Sequence, residues 1–158
     1  MTIEILRIDA RFDRYEELLD VILAAFAFMD GQIDPPSSAH RLTPASLQEK
    51  AAQEIAFAAV ERGRLVGCIF LKPEETVLYI GKLAVHPSAQ GKGTGRLLLD
   101  RAEQTARKLG LAGLRLETRV ELTENHRLFA AWGFGKTAEN RHAGYDRTTS
   151  IEMHKSLS

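Results

Sequence analysis

Apolar residues follow two different spacings in the first third of the chain, and each spacing predicts an element. Alternation over residues 2–8 predicts a strand, whereas apolar positions three and four apart in the next segment predict a helix. This helix is predicted to begin at Asp13, three residues before a glutamate, and to run to about Met29. Residues 30–43 contain a glycine and two consecutive prolines, which predict a loop. The threonine–proline pair that follows predicts a second helix over residues 44–53.

The middle of the chain is rich in apolar and β-branched residues and predicts three strands. Residues 54–60 and 64–71 flank a three-residue turn, which predicts a hairpin. Residues 76–85 form a longer apolar run, typical of a strand buried on both faces. Gly81 lies inside this run and predicts a β-bulge or a close approach of another backbone.

The last third begins with a glycine-rich segment that leads into a predicted helix ending near Lys108, with Gly110 as its stop signal. Residues 113–119 alternate as a strand, and a shorter helix follows. Two closing strands are predicted near residues 135–139 and 148–154. The longer helix is predicted to bury one face, formed by Leu98, Ala102, Ala106 and Leu109.

The predicted order of elements is β-α-α-β-β-β-α-β-α-β-β, with no internal repeat and no linker. A helix joins the strand at 76–85 to the strand at 113–119, so these two are predicted to be parallel neighbours. The fold class is therefore predicted as α/β of the α+β type, with a mixed, mostly antiparallel sheet of six to seven strands flanked by about four helices. We expect a single domain over residues 1–158.

Charge and cysteine content argue against several classes of protein. Lysine plus arginine and aspartate plus glutamate each number 21, and this balance disfavours a nucleic-acid binder. The single cysteine, Cys68, excludes an internal disulfide and is expected to be a core residue of its apolar strand. The histidines show no metal-like spacing, so no metal site is expected. No segment resembles a membrane span or a secretory signal, which predicts a cytoplasmic protein.

Three glycines fall within five residues between a buried strand and a helix N-terminus, at Gly91, Gly93 and Gly95. Glycine permits positive φ, and successive backbone N–H groups can then converge on an anion near the partial positive charge of a helix start. Lys92 and Arg96 add formal charge. The segment therefore predicts a diphosphate site, although its spacing matches neither the nucleotide P-loop nor the dinucleotide fingerprint.

The same segment contains Gln-x-x-Gly-x-Gly, starting at Gln90 and preceded by Leu83-Ala84-Val85-His86-Pro87. Downstream, Asn125 lies on a helix that leads into Trp132-Gly133-Phe134. Together these motifs resemble the GNAT superfamily of N-acetyltransferases, and the order of elements extends the resemblance over most of the chain. The resemblance implies that acyl-CoA lies where the two parallel strands splay apart.

The resemblance implies cofactor-binding roles for particular residues of this sequence. The backbone at Leu83, Ala84 and Val85 would pair with the pantetheine arm, and an N–H near Val85 would polarise the thioester carbonyl. Asn125 and Phe129 would contact the cofactor from their helix. The diphosphate would be held by the backbone of Gly91, Lys92, Gly93, Thr94, Gly95 and Arg96, with Gln90 shaping the loop.

The implied reaction is transfer of acetyl from acetyl-CoA to a primary amine by direct attack in a ternary complex. Family members often place a tyrosine acid where this chain has Phe129, which cannot donate a proton. Tyr145 is the substitute we expect, or the thiolate leaves unassisted. Glu117 and His86 are the candidate bases, although Glu117 could face solvent and His86 could only fill a turn.

The acceptor amine stays open at this stage. Asp30 and Asp34 flank the loop expected to cover the acceptor, where an acidic pair could attract a cation. Residues 141–147 would line the acceptor pocket or form an ordinary exposed loop. The alternative functions are a non-catalytic acyl-CoA-binding or regulatory module and an enzyme with a longer acyl donor. An exposed strand edge would allow a homodimer.

Overall fold

The computed structural model describes residues 2–157 and contains seven strands and four α-helices within them. Short 3₁₀ turns lie at Ala27–Met29, Ser38–Arg41 and Pro87–Ala89. The strands and helices, in chain order, are β1 (Ile3–Arg7), α1 (Tyr15–Phe26), α2 (Pro44–Gln53), β2 (Ile55–Glu61), β3 (Arg64–Pro73), β4 (Val77–Val85), α3 (Thr94–Lys108), β5 (Gly113–Arg119), α4 (Thr123–Ala131), β6 (Gly135–Asn140) and β7 (Ser150–Ser156).

All seven strands belong to one sheet, in the order β1-β2-β3-β4-β5-β7-β6. Only β4 and β5 pair in parallel, and every other neighbouring pair is antiparallel. The predicted mixed sheet, its four flanking helices and its single parallel pair are therefore confirmed. No helix within residues 2–157 is both long enough and apolar enough to cross a bilayer.

The two N-terminal helices start by different means. In α2, Thr43 and Ser46 form the reciprocal capping box, with Oγ-to-N distances of 2.9 and 3.0 Å, and the predicted bounds are confirmed. The predicted start of α1 at Asp13 is wrong, since the helix begins at Tyr15 without a side-chain cap. Glu17 instead receives a salt bridge from Arg14 and a hydrogen bond from the N–H of Leu65, which ties the helix to the β2–β3 hairpin.

The sheet is covered on both faces, by α3 on one side and by α1 and α2 on the other. The α3 residues Leu98, Ala102 and Ala106 are fully buried, as predicted. Leu109 is 49% exposed, so its predicted burial is wrong. The helix has ended at Lys108 by then, and Gly110 with φ of 72° turns the chain away from the sheet.

A β-bulge at Gly81 changes which face of the sheet the side chains of β4 reach. Phe70 pairs with Lys82 and Leu71 with Ile80, so Gly81 is the extra residue. Ile80 therefore packs in the core under α3, whereas Ala84 packs in the core under α1. The bulge was predicted, but burial of β4 on both faces was not correct, because most residues from Gly81 onward are only partly buried.

The parallel pair separates halfway along its length. Pairing between β4 and β5 runs from Val77 with Gly113 to Ile80 with Leu116 and then stops. Beyond this point β4 remains hydrogen-bonded to β3, and β5 remains hydrogen-bonded to β7. A gap therefore opens in the sheet between the C-terminal halves of two neighbouring strands.

Candidate active site

Two cavities meet at the gap between β4 and β5. The loop-side cavity, about 830 Å³, is bounded by the end of α1, the glycine-rich segment 90–96 and α4. The lid-side cavity, about 730 Å³, is bounded by the α1–α2 loop, by both separated strands and by the β6–β7 loop. Leu83, Asn125 and Phe129 are among the residues that line both cavities, so the two cavities adjoin at these side chains.

The backbone at the end of β4 is directed into the gap. The N–H of His86 donates to the carbonyl of Val66 at 2.8 Å, which makes that pair a hydrogen-bonded one. Because such pairs alternate along an antiparallel ladder, Leu83 and Val85 direct their N–H and C=O groups away from β3. The Gln90 amide donates to the Val85 carbonyl at 3.2 Å and so links the glycine-rich segment to this strand end.

The glycine-rich segment has the conformation of an anion cradle. Gly91 and Gly93 have φ of 79° and 84°, and no atom lies within 4 Å of a Cβ built on either residue. The first hydrogen bond of α3 joins the N–H of Leu97 to the carbonyl of Gly93, which leaves the preceding N–H groups without a partner in the helix. Thr94 is buried and donates to the carbonyl of Ala89 at 3.3 Å, which holds the segment closed.

The two cations of this segment are held by neighbouring acids. Lys92 lies 3.5 Å from Glu61, and Arg96 lies 3.3 Å from Asp100 on the same helix. Both cationic side chains are about 40% exposed, so each could turn toward a bound anion at little cost.

Trp132 is a site residue that the sequence reasoning missed. A Cβ on Gly95 would lie 3.5 Å from the indole, which shows how closely α4 packs on the glycine-rich segment. Phe129 contacts both Trp132 and Phe134 edge-on, at centroid distances of 6.0 and 5.8 Å. The phenyl ring therefore belongs to an aromatic cluster and offers no proton donor at the junction of the cavities.

Glu117 on β5 is exposed, and its side chain lines the lid-side cavity. Asn140 donates to its carboxylate at 3.1 Å, and Arg115 lies 3.7 Å away. Tyr79, also missed by the sequence reasoning, lines the same cavity, with the Arg115 guanidinium stacked 4.2 Å from its ring centroid. Burial and the Glu117 charge raise the pKa of Tyr79, which keeps its hydroxyl protonated.

His86 is not among the residues that line either cavity. Its Nδ1 accepts from the N–H of Ser88 at 3.1 Å and thereby caps the short turn after β4. The observed contact of the His86 side chain therefore stabilises the turn after β4.

Tyr145 lines the lid-side cavity, and its hydroxyl donates to Asp34 at 2.7 Å. This hydrogen bond raises the pKa of Tyr145. Arg147 donates to the carbonyl of the same Asp34 at 3.1 Å, and Arg119 donates to the carbonyl of Pro35 at 2.7 Å. These contacts join the β6–β7 loop and the α1–α2 loop into one cover over the cavity, which we call the lid.

The acidic pair that could attract a cation is already engaged. Asp34 belongs to the lid contacts, and Asp30 pairs with His40 at 2.7 Å. Neither carboxylate lines the lid-side cavity. Cys68 is fully buried, as expected of a core residue, and burial raises the pKa of its thiol to about 12, so no thiolate forms near neutral pH.

The model of the acetyltransferase (GNAT) family matches residues 17–134. The chain is also 34% identical over 127 residues to an IAA acetyltransferase of Azospirillum brasilense, which covers 77% of this chain and 81% of that protein. The protein therefore belongs to the GNAT family and is an acetyltransferase.

Solved structures share the fold at lower identity. The PaiA N-acetyltransferase of Thermoplasma acidophilum, in complex with coenzyme A, superposes with a TM-score of 0.80 at 19% identity, over 99% of this chain and 100% of that one. A GNAT family acetyltransferase of Elizabethkingia anophelis with acetyl-CoA bound has a TM-score of 0.70 at 20% identity, over 98% of both chains.

Proposed function

We propose that this protein transfers an acetyl group from acetyl-CoA to a primary amine by direct attack within a ternary complex. The observation that carries the proposal is the pair of adjoining cavities at the gap in the sheet, one bounded by the anion cradle and the other covered by the lid. Two structural neighbours, one with coenzyme A and one with acetyl-CoA bound, support this choice of donor.

The loop-side cavity fits the donor by its chemistry. The open backbone at Gly91 and Gly93 and the free N–H groups at the start of α3 would hold the diphosphate. The inward groups of Leu83 and Val85 would pair with the amides of the pantetheine arm, and Asn125 lines both cavities. Bound acetyl-CoA would supply the activated thioester.

The residues of the lid-side cavity would handle the amine. Glu117 is the carboxylate that we assign as general base, because it faces the cavity and the Asn140 amide orients it. The N–H of Val85 would donate to the acyl oxygen as negative charge develops there. Phe129 cannot protonate the departing sulfur. Because a thiol has a pKa of only about 8.5, its thiolate can leave without being protonated.

The test is release of the coenzyme A thiol from acetyl-CoA with a panel of primary amines, together with mass detection of the acetylated product. We expect amine-dependent release above the rate of hydrolysis without amine. Parallel reactions with longer acyl-CoA donors would define the acyl preference. Stabilisation of the fold by acetyl-CoA without acetylation of any amine would refute the proposal and favour a binding module.

A further inference from the structure

The charges that line the lid-side cavity are unequal. Arg41, Lys82 and Arg119 contribute cations, whereas Glu117 is the one carboxylate that lines it within residues 2–157. An amine alone, which arrives as an ammonium, would meet a cavity with the wrong excess of charge.

Only some of these cations are free to act on a ligand. Arg119 already donates to the carbonyls of Pro35 and Pro36 in the lid. Lys82 and Arg41 form no salt bridge with any residue of the described part of the chain.

Of Lys82 and Arg41, Lys82 says more about the charge of the ligand, because its surroundings are better defined. The bulge at Gly81 places it on the face under α1, where its ammonium lies 5.3 Å from the ring centroid of Phe26. Burial lowers the pKa of Lys82, which reflects the loss of water around the charged group. A partly dehydrated cation without a counter-ion gains more from an anion than an exposed cation does.

Neighbouring acids do not supply that anion. Glu54, the carboxylate whose charge reaches Lys82, is bound by Lys50 at 2.9 Å. Asp30 and Asp34 are engaged within the α1–α2 loop and the lid. No carboxylate of residues 2–157 therefore forms a salt bridge with Lys82, which leaves its charge available to a ligand in the cavity.

We propose that the acceptor carries a carboxylate as well as its amine, with Lys82 and Arg41 binding the carboxylate and Glu117 meeting the ammonium. This inference rests on the proposed function. The two groups would hold a small amino acid at both ends, and the acetylated product would keep only the anionic contact.

The test compares amino acids with their amides, which lack the negative charge. Leucine, phenylalanine, methionine and glutamine, each paired with its amide, serve as acceptors in the thiol-release assay. We expect kcat/KM to favour the acid by about ten- to a hundredfold, the range of one hydrogen bond to a charged group. Lys82→Met should abolish this preference.

Arg101→Met is the matched control, because the Arg101 guanidinium also lies over an aromatic ring, 5.2 Å from the centroid of Phe57, but lines neither cavity. This variant should retain the preference for acids. Equal kcat/KM for acid and amide in every pair overturns the inference. So does a Lys82→Met variant that keeps the preference or that loses activity equally on both members of a pair.

A binding experiment separates failure of this inference from failure of the proposed function. Thermal melts with the N-acetyl amino acids and the matched N-acetyl amides report recognition without turnover. Stabilisation by the acids alone, lost in Lys82→Met, supports the inference even if no amine is acetylated. Acetylation of amines with no preference for acids in either assay overturns the inference and leaves the proposed function standing. Absence of both binding and turnover with every pair overturns the inference, and absence of turnover across the whole panel of primary amines overturns the proposed function as well.

Discussion

Gly93→Val tests whether the glycine-rich segment binds the donor. Gly93 is the N-cap of α3 with φ of 84°, a conformation that costs a β-branched residue about 1–2 kcal/mol or more. No atom lies within 4 Å of the position where the new Cβ would stand, so the substitution adds backbone strain without a clash. The branched side chain would occupy the cradle itself. At roughly 2–4 °C per kcal/mol, the melting temperature should fall by roughly 2–8 °C.

The chain offers a matched control at the other end of the same helix. Gly110 has φ of 72° and likewise has no atom within 4 Å of its Cβ position. Gly110→Val therefore imposes a similar strain far from the cradle. The two variants should lose comparable stability, and they should differ in their response to ligand.

The assay is a thermal melt with and without acetyl-CoA. At about a hundred times the dissociation constant, acetyl-CoA should add about 2.7 kcal/mol, or roughly 5–11 °C, to the wild type and to Gly110→Val. Gly93→Val should lose most of this shift. The reasoning would be refuted if Gly93→Val kept the full shift, or if Gly110→Val lost it as well.

Three further predictions concern single side chains. Glu117→Gln keeps an oxygen for Asn140 but removes the base, so kcat/KM should fall by about 10²–10⁴ and its pH profile should lose the acidic limb; an unchanged profile would exclude Glu117 as the base. Phe129→Tyr places a hydroxyl at the junction of the cavities and should raise kcat up to about tenfold if thiolate departure is slow; an unchanged kcat would show that it is not. Hydrogen bonds from Arg115 lower the pKa of Glu74 in the folded protein. The ionised carboxylate therefore stabilises the fold at any pH above the pKa that Glu74 has in the unfolded chain. This stabilisation is lost as the pH falls through the pKa that Glu74 has in the folded protein. In urea unfolding, Glu74→Gln should therefore destabilise by under about 1 kcal/mol at pH 7 and by progressively less below pH 4.5; a constant difference would contradict this.

The order of the elements, the bounds of α2 and β5, and the bulge in β4 followed from local features of the chain. The capping box at Thr43 involves neighbouring residues only, and Gly81 stands inside an otherwise continuous apolar run. The conformation of the glycine-rich segment could also be predicted from the sequence, because the positive φ of Gly91 and Gly93 depends on each residue being glycine. Local spacing placed the start of α1 two residues early, and it counted Leu109 in the buried face of α3 although that helix ends at Lys108, as predicted.

The arrangement of the lid-side cavity depended on contacts between distant parts of the chain. Asp34 and Tyr145 are 111 positions apart, and no local pattern reveals their hydrogen bond. That bond joins the α1–α2 loop, which carries Asp34, to the β6–β7 loop, which carries Tyr145, and so forms the lid. Tyr79 and Trp132 were not predicted as site residues for a related reason, since each joins the site only through strands or helices that pack beside it.

By itself, the sequence determined the family of this protein, its sheet and the conformation of its glycine-rich segment, because backbone conformation and periodic burial are set by nearby residues. Only the tertiary structure decided which charges around the lid-side cavity are already neutralised. Lys82 shows the difference. Its place in an apolar strand predicts little, but the bulge turns it toward a cavity whose neighbouring acids are bound elsewhere. The charge that remains unbalanced there arises from packing, which no local pattern in the sequence reveals.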